Sequence, residues 1–398
     1  MRFRNQLLWT LALQGVGAMA VFGAVVLIGS QLGPQAQGLF SRIKSELEFV
    51  AALSMFGMPQ AVFFFLSSRR MSRAAALRLG ALLSLAGVAI AGVYLVGVTR
   101  SASVSYAILF AVASAAVVLH GILRVIVLAL ATTRLFNLVT ALPQLMVLLL
   151  VLAVILGGSL APWMVTAVFV LAFCAGSAFA WLALRSTAEP AGETQPDLAT
   201  PKDLLSFGAA TWFVATLSTA AAAFWLRHTE ATLGLAAVGV FSMGLTLVQL
   251  VLTPFNYAVP LLFKRWMASP GSSHAIRWAL LAGLGVFCLI ATVLAIQGLF
   301  PVPEALSAYG GLRELKWPFA VSAVAEVMMR IAAVAANAAG HPWAPVCSEL
   351  VRMAVLGIAA GFGMAGELVP VATWWAIAAA LAAAALLMTV RSVGKAKL

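Results

Sequence analysis

Residues 32–41 read LGPQAQGLFS, and residues 233–242 read LGLAAVGVFS. The two phrases begin 201 residues apart in a chain of 398, and six of their ten positions are identical. The same offset carries Pro59 onto Pro260, inside the hydrophobic run that follows each phrase. Many membrane transporters consist of two copies of one unit, with the substrate site between the copies. The duplication therefore predicts a function that needs two matching membrane halves.

The composition of the chain is that of a membrane protein. The chain is 63% hydrophobic and 9% charged, whereas a soluble domain has roughly 45–50% apolar and about 25% charged residues. A spanning helix needs about 20 consecutive apolar residues. Long, continuous runs predict an all-α integral membrane fold of about twelve helices, arranged as two six-helix parallel repeats around a central cavity. The predicted spans are 7–30, 39–66, 74–97, 103–130, 135–157, 162–184, 204–227, 235–262, 276–299, 317–338, 342–364 and 369–390.

One polar segment interrupts the apolar pattern. Residues 185–203 contain three prolines and four of the twelve acids, which predicts a solvated linker between an N-terminal half, 1–184, and a C-terminal half, 204–398. With six spans in each half, fifteen Lys and Arg residues fall on the side of the termini. Only four fall on the other side: Arg100, Arg227, Arg313 and Lys316. Cytoplasmic loops carry the excess of cations, so both termini are predicted to be cytoplasmic. The dispersed cations fit this topology and attraction to membrane lipids, and they do not indicate nucleic-acid binding.

Each half carries a proline in its second predicted helix, Pro59 and Pro260. A proline within a membrane helix frees a backbone carbonyl and kinks the helix. Two interpretations remain open. The kinks are packing features of an old duplication, or they mark bent helices that line a cavity and move.

The phrase LGPQAQGLFS, followed by FGMPQAVFFFL at 56–66, resembles the start of bacterial polysaccharide-biosynthesis membrane proteins. These are the lipid-linked oligosaccharide flippases, or O-antigen translocases, of the multidrug/oligosaccharidyl-lipid/polysaccharide exporter superfamily. The resemblance implies an inner-membrane flippase that moves an undecaprenyl-pyrophosphate-linked glycan outward by alternating access. Its implied partners are that glycan lipid, membrane lipids and other polysaccharide-assembly membrane proteins, with no cofactor.

Two other function classes are weighed against the flippase. A multidrug or cation antiporter of the same superfamily is disfavoured because the first helix contains Gln14 but no Asp or Glu, where some drug exporters keep an essential acid. A membrane glycan polymerase or ligase needs a large outer loop with catalytic groups. The longest outer loop, about 300–316, offers no nucleophile–base set and no metal constellation, so no enzyme and no metal site are predicted.

Ionisable residues inside the predicted spans are the candidate site residues, because charges in a bilayer usually face a water-filled cavity or the bundle interior. Spacing predicts four local pairs, each of which is either a self-neutralising pair or part of a site. Arg124 has no acid within four residues, and its planar fork suits a phosphate. The candidates for substrate binding are Arg124, Arg42, Lys44, Arg330, Arg352, Gln14 and Asn256. The candidates for ion coupling are Glu46, Glu48, Glu326 and Glu349.

The predicted pairs are Arg42–Glu46, Lys44–Glu48, Glu326–Arg330 and Glu349–Arg352. The last two pairs lie on neighbouring helices, so all four residues can form one network that either binds substrate or locks the second half together. The polar residues Gln14 and Asn256 either bond to sugar hydroxyls or join helices to one another. His120 lies one turn before Arg124 and is predicted to be a packing residue.

Overall fold

The computed structural model describes the backbone of residues 3–98, 103–187, 199–268, 272–297, 304–362 and 367–396. Side chains are described within 9–97, 103–187, 199–256, 277–290, 309–362 and 367–392. All regular elements in these ranges are helical. They are α1 (Phe3–Met55), α2 (Met58–Ser67), α3 (Arg73–Val98), α4 (Val104–Leu130), α5 (Thr133–Leu156), α6 (Pro162–Arg185), α7 (Pro201–Ala268), α8 (Ser272–Gln297), a 3-10 helix (Glu304–Arg313), α9 (Lys316–Ala338), α10 (Ala344–Gly361) and α11 (Leu368–Ala396).

The repeated phrase breaks the two longest helices at equivalent residues. Gly33 interrupts α1 with φ 82° and ψ 176°, and Gly234 interrupts α7 with φ 82° and ψ 173°. This backbone region is accessible almost only to glycine. At 1.5 Å per residue, helices of 53 and 68 residues far exceed the roughly 30 Å hydrocarbon core. Each long helix is therefore two spans joined at a glycine, and the predicted break at each phrase is confirmed.

The number of spans agrees with the sequence-based count of twelve. Among the described residues, nine helices are long and apolar enough to cross a bilayer. Two of these nine are the helices that divide at Gly33 and Gly234, and a shorter apolar stretch, Arg277–Ile290, lies in α8. The chain is an all-α, multi-pass membrane protein with a duplicated framework.

The chain packs into two compact units. The first contains Met1–Ala24 and Arg42–Ala223, and the second contains Val25–Ser41 and Phe224–Leu398. In the first unit, α3 and α6 pack on α4, and Ile122 and Ile126 of α4 are fully buried. In the second unit, α9, α10 and α11 pack together over an alanine-rich core. Each unit thus takes segments from both sequence halves, and the predicted boundary at 185–203 stays a prediction.

Pro59 begins a helix. The break between α1 and α2 lies at Phe56 and Gly57, whose φ angles are 47° and 68°, and Pro59 sits in the first turn of α2. A proline is tolerated there because its missing N–H would have no helical partner anyway. Pro260 lies in α7, but its side chain is outside the described residues.

Candidate functional site

A neutral hydrogen-bonded chain is buried in the first unit. Gln14 Nε2 donates to Asn137 Oδ1 at 2.8 Å, and Asn137 Nδ2 donates to Thr10 Oγ1 at 2.9 Å. Gln14 is 5% exposed and Asn137 is fully buried. Buried amides of this kind join membrane helices, here α1 and α5. The sequence did not predict that Gln14, Asn137 and Thr10 bond to one another, because nothing local in the sequence relates residues that lie more than 120 positions apart.

Arg124 and His120 lie one turn apart on α4. His120 is buried, packs edge-on against Phe173 with ring centroids 5.5 Å apart, and lies so close to Gly176 that a Cβ there would come within 3.0 Å of the imidazole. His120 therefore has the surroundings of a packing residue, as predicted. Arg124 is half-buried, and its Nε atom is inaccessible to solvent.

Two predicted ion pairs form on the second segment of α1. Arg42 Nε lies 3.8 Å from Glu46 Oε1, and Lys44 Nζ lies 2.7 Å from Glu48 Oε1. The two pairs differ in burial, since the Glu46 side chain is 1% exposed and the Glu48 side chain is 50% exposed. A buried carboxylate is costly to keep charged, whereas an exposed one is hydrated by water. Binding a proton or cation therefore gains more at Glu46 than at Glu48, and Glu46 is the better candidate for ion coupling of the two.

A cluster of three buried charged side chains lies in the second unit, between α9 and α10. Arg352 Nη2 lies 2.6 Å from Glu326 Oε1, and Arg352 Nε lies 3.4 Å from Glu349 Oε2. All three side chains are less than a tenth exposed. Arg352 also donates to Met329 Sδ at 3.1 Å and lies over the ring of Trp375 at 5.9 Å. We call Glu326, Glu349 and Arg352 the acid–arginine cluster.

The pairing of Glu326 with Arg330 is wrong. Glu326 binds Arg352 of the next helix, and among the described residues Arg330 lies within ion-pairing distance of neither carboxylate. The predicted four-residue network is therefore a cluster of three, with Arg330 half-buried nearby. The spacing of four residues along α9 predicted that Glu326 pairs with Arg330. The way α9 and α10 pack instead brings Arg352 to Glu326.

The acid–arginine cluster has the chemistry of a cation site. Two carboxylates face one guanidinium, so these three groups carry a net charge of −1 when both acids are ionised, and Arg330 nearby acts on Glu349 as a further positive charge. Charges taken out of water need pairing and hydrogen bonds to offset the loss of hydration. A single proton or monovalent cation would neutralise the cluster.

A second group of polar residues lies on α7, about two helical turns before Gly234. Arg227 was predicted to lie in an outer loop, and the structure instead places it, half-buried, within α7. His228 stacks on Trp225 with ring centroids 5.3 Å apart, and Trp225 Nε1 donates to the Val371 carbonyl at 3.2 Å. The offset of 201 relates Arg227 and His228 to two apolar residues, so an alignment of the two copies would have revealed this polar turn. Asn256 is half-buried in α7, at the edge of the described side chains.

No protein-family model and no curated protein matches the sequence. Solved structures match its fold. A MATE transporter in complex with MaL6 aligns with a TM-score of 0.69 and 17% identity, covering 98% of this chain and 96% of that chain. An outward-facing multidrug resistance MATE transporter of the MOP superfamily aligns with a TM-score of 0.68 and 16% identity, covering 98% and 96%.

A third match is a MOP superfamily transporter from Pyrococcus furiosus, for which a reversed polarity of the binding pocket suggests a different function. It aligns with a TM-score of 0.67 and 15% identity, covering 98% of this chain and 94% of that chain. The chain therefore has the fold of the MATE transporters of the MOP superfamily over nearly its whole length.

Proposed function

We propose that this chain is a membrane transporter that moves an amphipathic organic substrate by alternating access, in exchange for a cation. The observation that carries the proposal is the fold, shared over 98% of the chain with a multidrug resistance transporter. The duplicated framework, with glycine breaks at equivalent residues, suits a protein in which two copies move against one another.

The acid–arginine cluster is our candidate for the coupling site. Glu326 and Glu349 are buried within membrane helices and share one guanidinium, so binding a proton or cation lowers the cost of holding two buried carboxylates close together. The arginine also occupies the space between the two carboxylates. A proton needs no coordination shell of its own and therefore suits this cluster better than a hydrated metal cation.

A lipid-linked glycan flippase, with the polyprenyl-pyrophosphate glycan expected from the sequence, is the second candidate function. One observation in its favour is that the first helix carries the amide of Gln14, hydrogen-bonded to Asn137, and no acid of the kind that some drug exporters keep there. A second is the half-buried Arg124, which suits a phosphate. The structural comparisons favour the antiporter, so the flippase takes second place. In either case we place the chain in a bacterial inner membrane with both termini inside, on the asymmetry of its Lys and Arg residues.

Transport in proteoliposomes tests the proposal. Purified protein is reconstituted, a fluorescent organic cation such as ethidium is enclosed, and a proton or sodium gradient is imposed across the membrane. We expect gradient-driven dye movement that Glu326→Gln abolishes and the control Glu48→Gln keeps, because Glu48 lies at the protein surface.

The two candidate functions give opposite results in a deletion strain. Raised sensitivity to organic cations with normal surface polysaccharide supports the antiporter. Absence of dye transport, together with accumulation of lipid-linked glycan on the cytoplasmic leaflet, would replace the antiporter with the flippase.

A further inference from the structure

Two helices of the second unit cross in direct backbone contact just after the glycine breaks. A Cβ placed on Gly38 would overlap the carbonyl oxygen of Leu235 and lie 3.0 Å from the backbone nitrogen of Gly239. A Cβ placed on Gly239 would overlap the carbonyl oxygen of Pro34. Side chains other than hydrogen therefore do not fit at either glycine. We call this contact the Gly38–Gly239 crossing.

The Gly38–Gly239 crossing is symmetric in the repeat. Adding the offset of 201 converts Pro34 into Leu235 and Gly38 into Gly239, so each contact is the image of the other. A local twofold axis consequently passes between the two helices. The crossing joins equivalent points of the two copies, and separating the copies at this end has to break it.

A buried polar atom at the crossing lacks a hydrogen bond. Gln37, next to Gly38, is fully buried; its Nε2 donates to Ser41 Oγ at 3.1 Å, while its Oε1 has no partner among the described residues. The repeat-related residue, Val238, is also fully buried and is apolar. A buried carbonyl without a partner disfavours the closed contact, and water reaching it on opening would restore the lost bond. The two backbones therefore fit closely, but the carbonyl of Gln37 without a hydrogen bond lowers the stability of the closed contact.

The first unit contains a second crossing of the two sequence copies, which we call the Gly57–Gly208 crossing. A Cβ on Gly57 would overlap the Gly208 carbonyl oxygen, and a Cβ on Gly208 would lie 3.0 Å from the Gly57 carbonyl oxygen. Trp212 Nε1 donates to the Leu53 carbonyl at 3.0 Å and supports this contact. The repeat-related pair, Leu7 and Ala258, lies outside the described side chains.

The two crossings lie one membrane thickness apart along the chain. Gly38 and Gly57 are separated by nineteen residues that are almost entirely helical, a rise of about 28 Å, against a hydrocarbon core of about 30 Å. Gly38 and Gly57 therefore lie near opposite ends of one helical segment that is about as long as the hydrocarbon core is thick, and each crossing brings together backbone from the first and second sequence copies.

We propose that the Gly38–Gly239 crossing and the Gly57–Gly208 crossing are the two gates of the transport cycle, which open in turn. The proposal rests on the proposed transport function, because gates at both faces are needed only by a protein that alternates between them. Glycine permits a seal made by backbone alone, which closes tightly without interlocking side chains.

Thiol labelling of a buried reporter tests the first gate. The three native cysteines, Cys174, Cys288 and Cys347, are exposed and are replaced by alanine. Val238→Cys then introduces a thiol that is buried while the crossing is closed. The protein is placed in nanodiscs, where both faces are accessible, and the rate of labelling by a charged maleimide is measured without substrate.

The variants are chosen to shift the gate in opposite directions. Gly38→Ala should raise the labelling rate about tenfold or more, because the added methyl is excluded only from the closed state. Gln37→Leu removes the unpaired carbonyl and should lower the rate. Gly208→Ala disfavours closure of the other gate and should also lower it. The control is Gly92→Ala, because a Cβ at Gly92 meets nothing within 4 Å.

Unchanged labelling in both Gly38→Ala and Gln37→Leu would overturn the proposal. A rise in Gly208→Ala equal to that in Gly38→Ala would also overturn it, because both substitutions would then merely loosen the fold. Thermal unfolding identifies variants that fail to fold, and Gln37→Leu, which replaces a buried side chain with an apolar one of similar size, provides a second test that does not depend on the glycine substitutions. Labelling needs no substrate, so failed dye transport with the expected labelling pattern rejects the transport proposal alone.

Discussion

Arg352 Nη2 on α10 lies 2.6 Å from Glu326 Oε1 on α9, so one buried guanidinium balances an acid of the neighbouring helix. The same guanidinium lies 3.4 Å from Glu349. The relationship joins two helices through buried charge, and the first prediction concerns its disruption.

Arg352→Met should destabilise the protein by about 3–5 kcal/mol, because it removes the cation that is paired with two buried carboxylates. Thermal unfolding in detergent measures the loss. The control Lys44→Met removes a cation from a surface pair and should cost at most about 1 kcal/mol. Adding Glu326→Gln and Glu349→Gln to Arg352→Met should restore most of the stability; no recovery would mean that Arg352 acts through packing rather than charge.

Asn137→Ala should destabilise the first unit, because it leaves the Gln14 amide and the Thr10 hydroxyl without their bonds to Asn137. An unsatisfied buried polar group costs about 1–3 kcal/mol. The unfolding midpoint in a chaotrope series measures the change. Gln60→Ala, at an exposed amide, should stay within about 0.5 kcal/mol of the parent. Equal effects of the two substitutions would contradict the stabilising role assigned to the hydrogen bonds among Gln14, Asn137 and Thr10.

Gly33→Ala and Gly234→Ala should each destabilise the protein, because both residues have φ 82° in a region open almost only to glycine. Strain in such regions costs about 1–3 kcal/mol. In contrast, Gly92→Ala, within α3, should be neutral or stabilising by about 0.5–1 kcal/mol. The unfolding midpoints of the three variants test this prediction. Gly33→Ala and Gly234→Ala should lower the midpoint by similar amounts, and a midpoint as high as that of Gly92→Ala would contradict the prediction.

Tyr309 should make the protein sensitive to alkaline pH. It lies in the 3-10 helix Glu304–Arg313, outside the spans, and burial raises the pKa of its phenol from 10.0 to about 12. The unfolded chain loses this proton first, so the contribution of Tyr309 to stability is present below about pH 10 and is lost as the pH rises toward 12.

Ultraviolet absorbance of phenolate measures this titration, and the chain has only four tyrosines. Tyr309→Phe should remove one late-titrating phenol and flatten the alkaline loss of stability. A Tyr309→Phe protein with an unchanged alkaline profile would show that the loss comes from other groups.

The pairs Arg42–Glu46 and Lys44–Glu48 show how far local spacing reaches. Both were predicted from residues four apart on one helix, and both form. Spacing did not identify the partner of Glu326, and it did not relate Gln14 to Asn137. Those contacts depend on the rotation of one helix against another, which apolar runs of nearly uniform hydrophobicity do not specify.

The sequence by itself determined the membrane class, the approximate spans and the duplication, because each follows from runs of apolar residues or from a repeated phrase. It also determined where the two long helices break, since a backbone with φ 82° requires glycine wherever it occurs. Only the tertiary structure decided that Gly38 meets Gly239, that Gly57 meets Gly208 and that Arg352 lies between two acids. These are contacts between segments distant in the chain, and they arise from how the helices pack, not from any pattern within one of them.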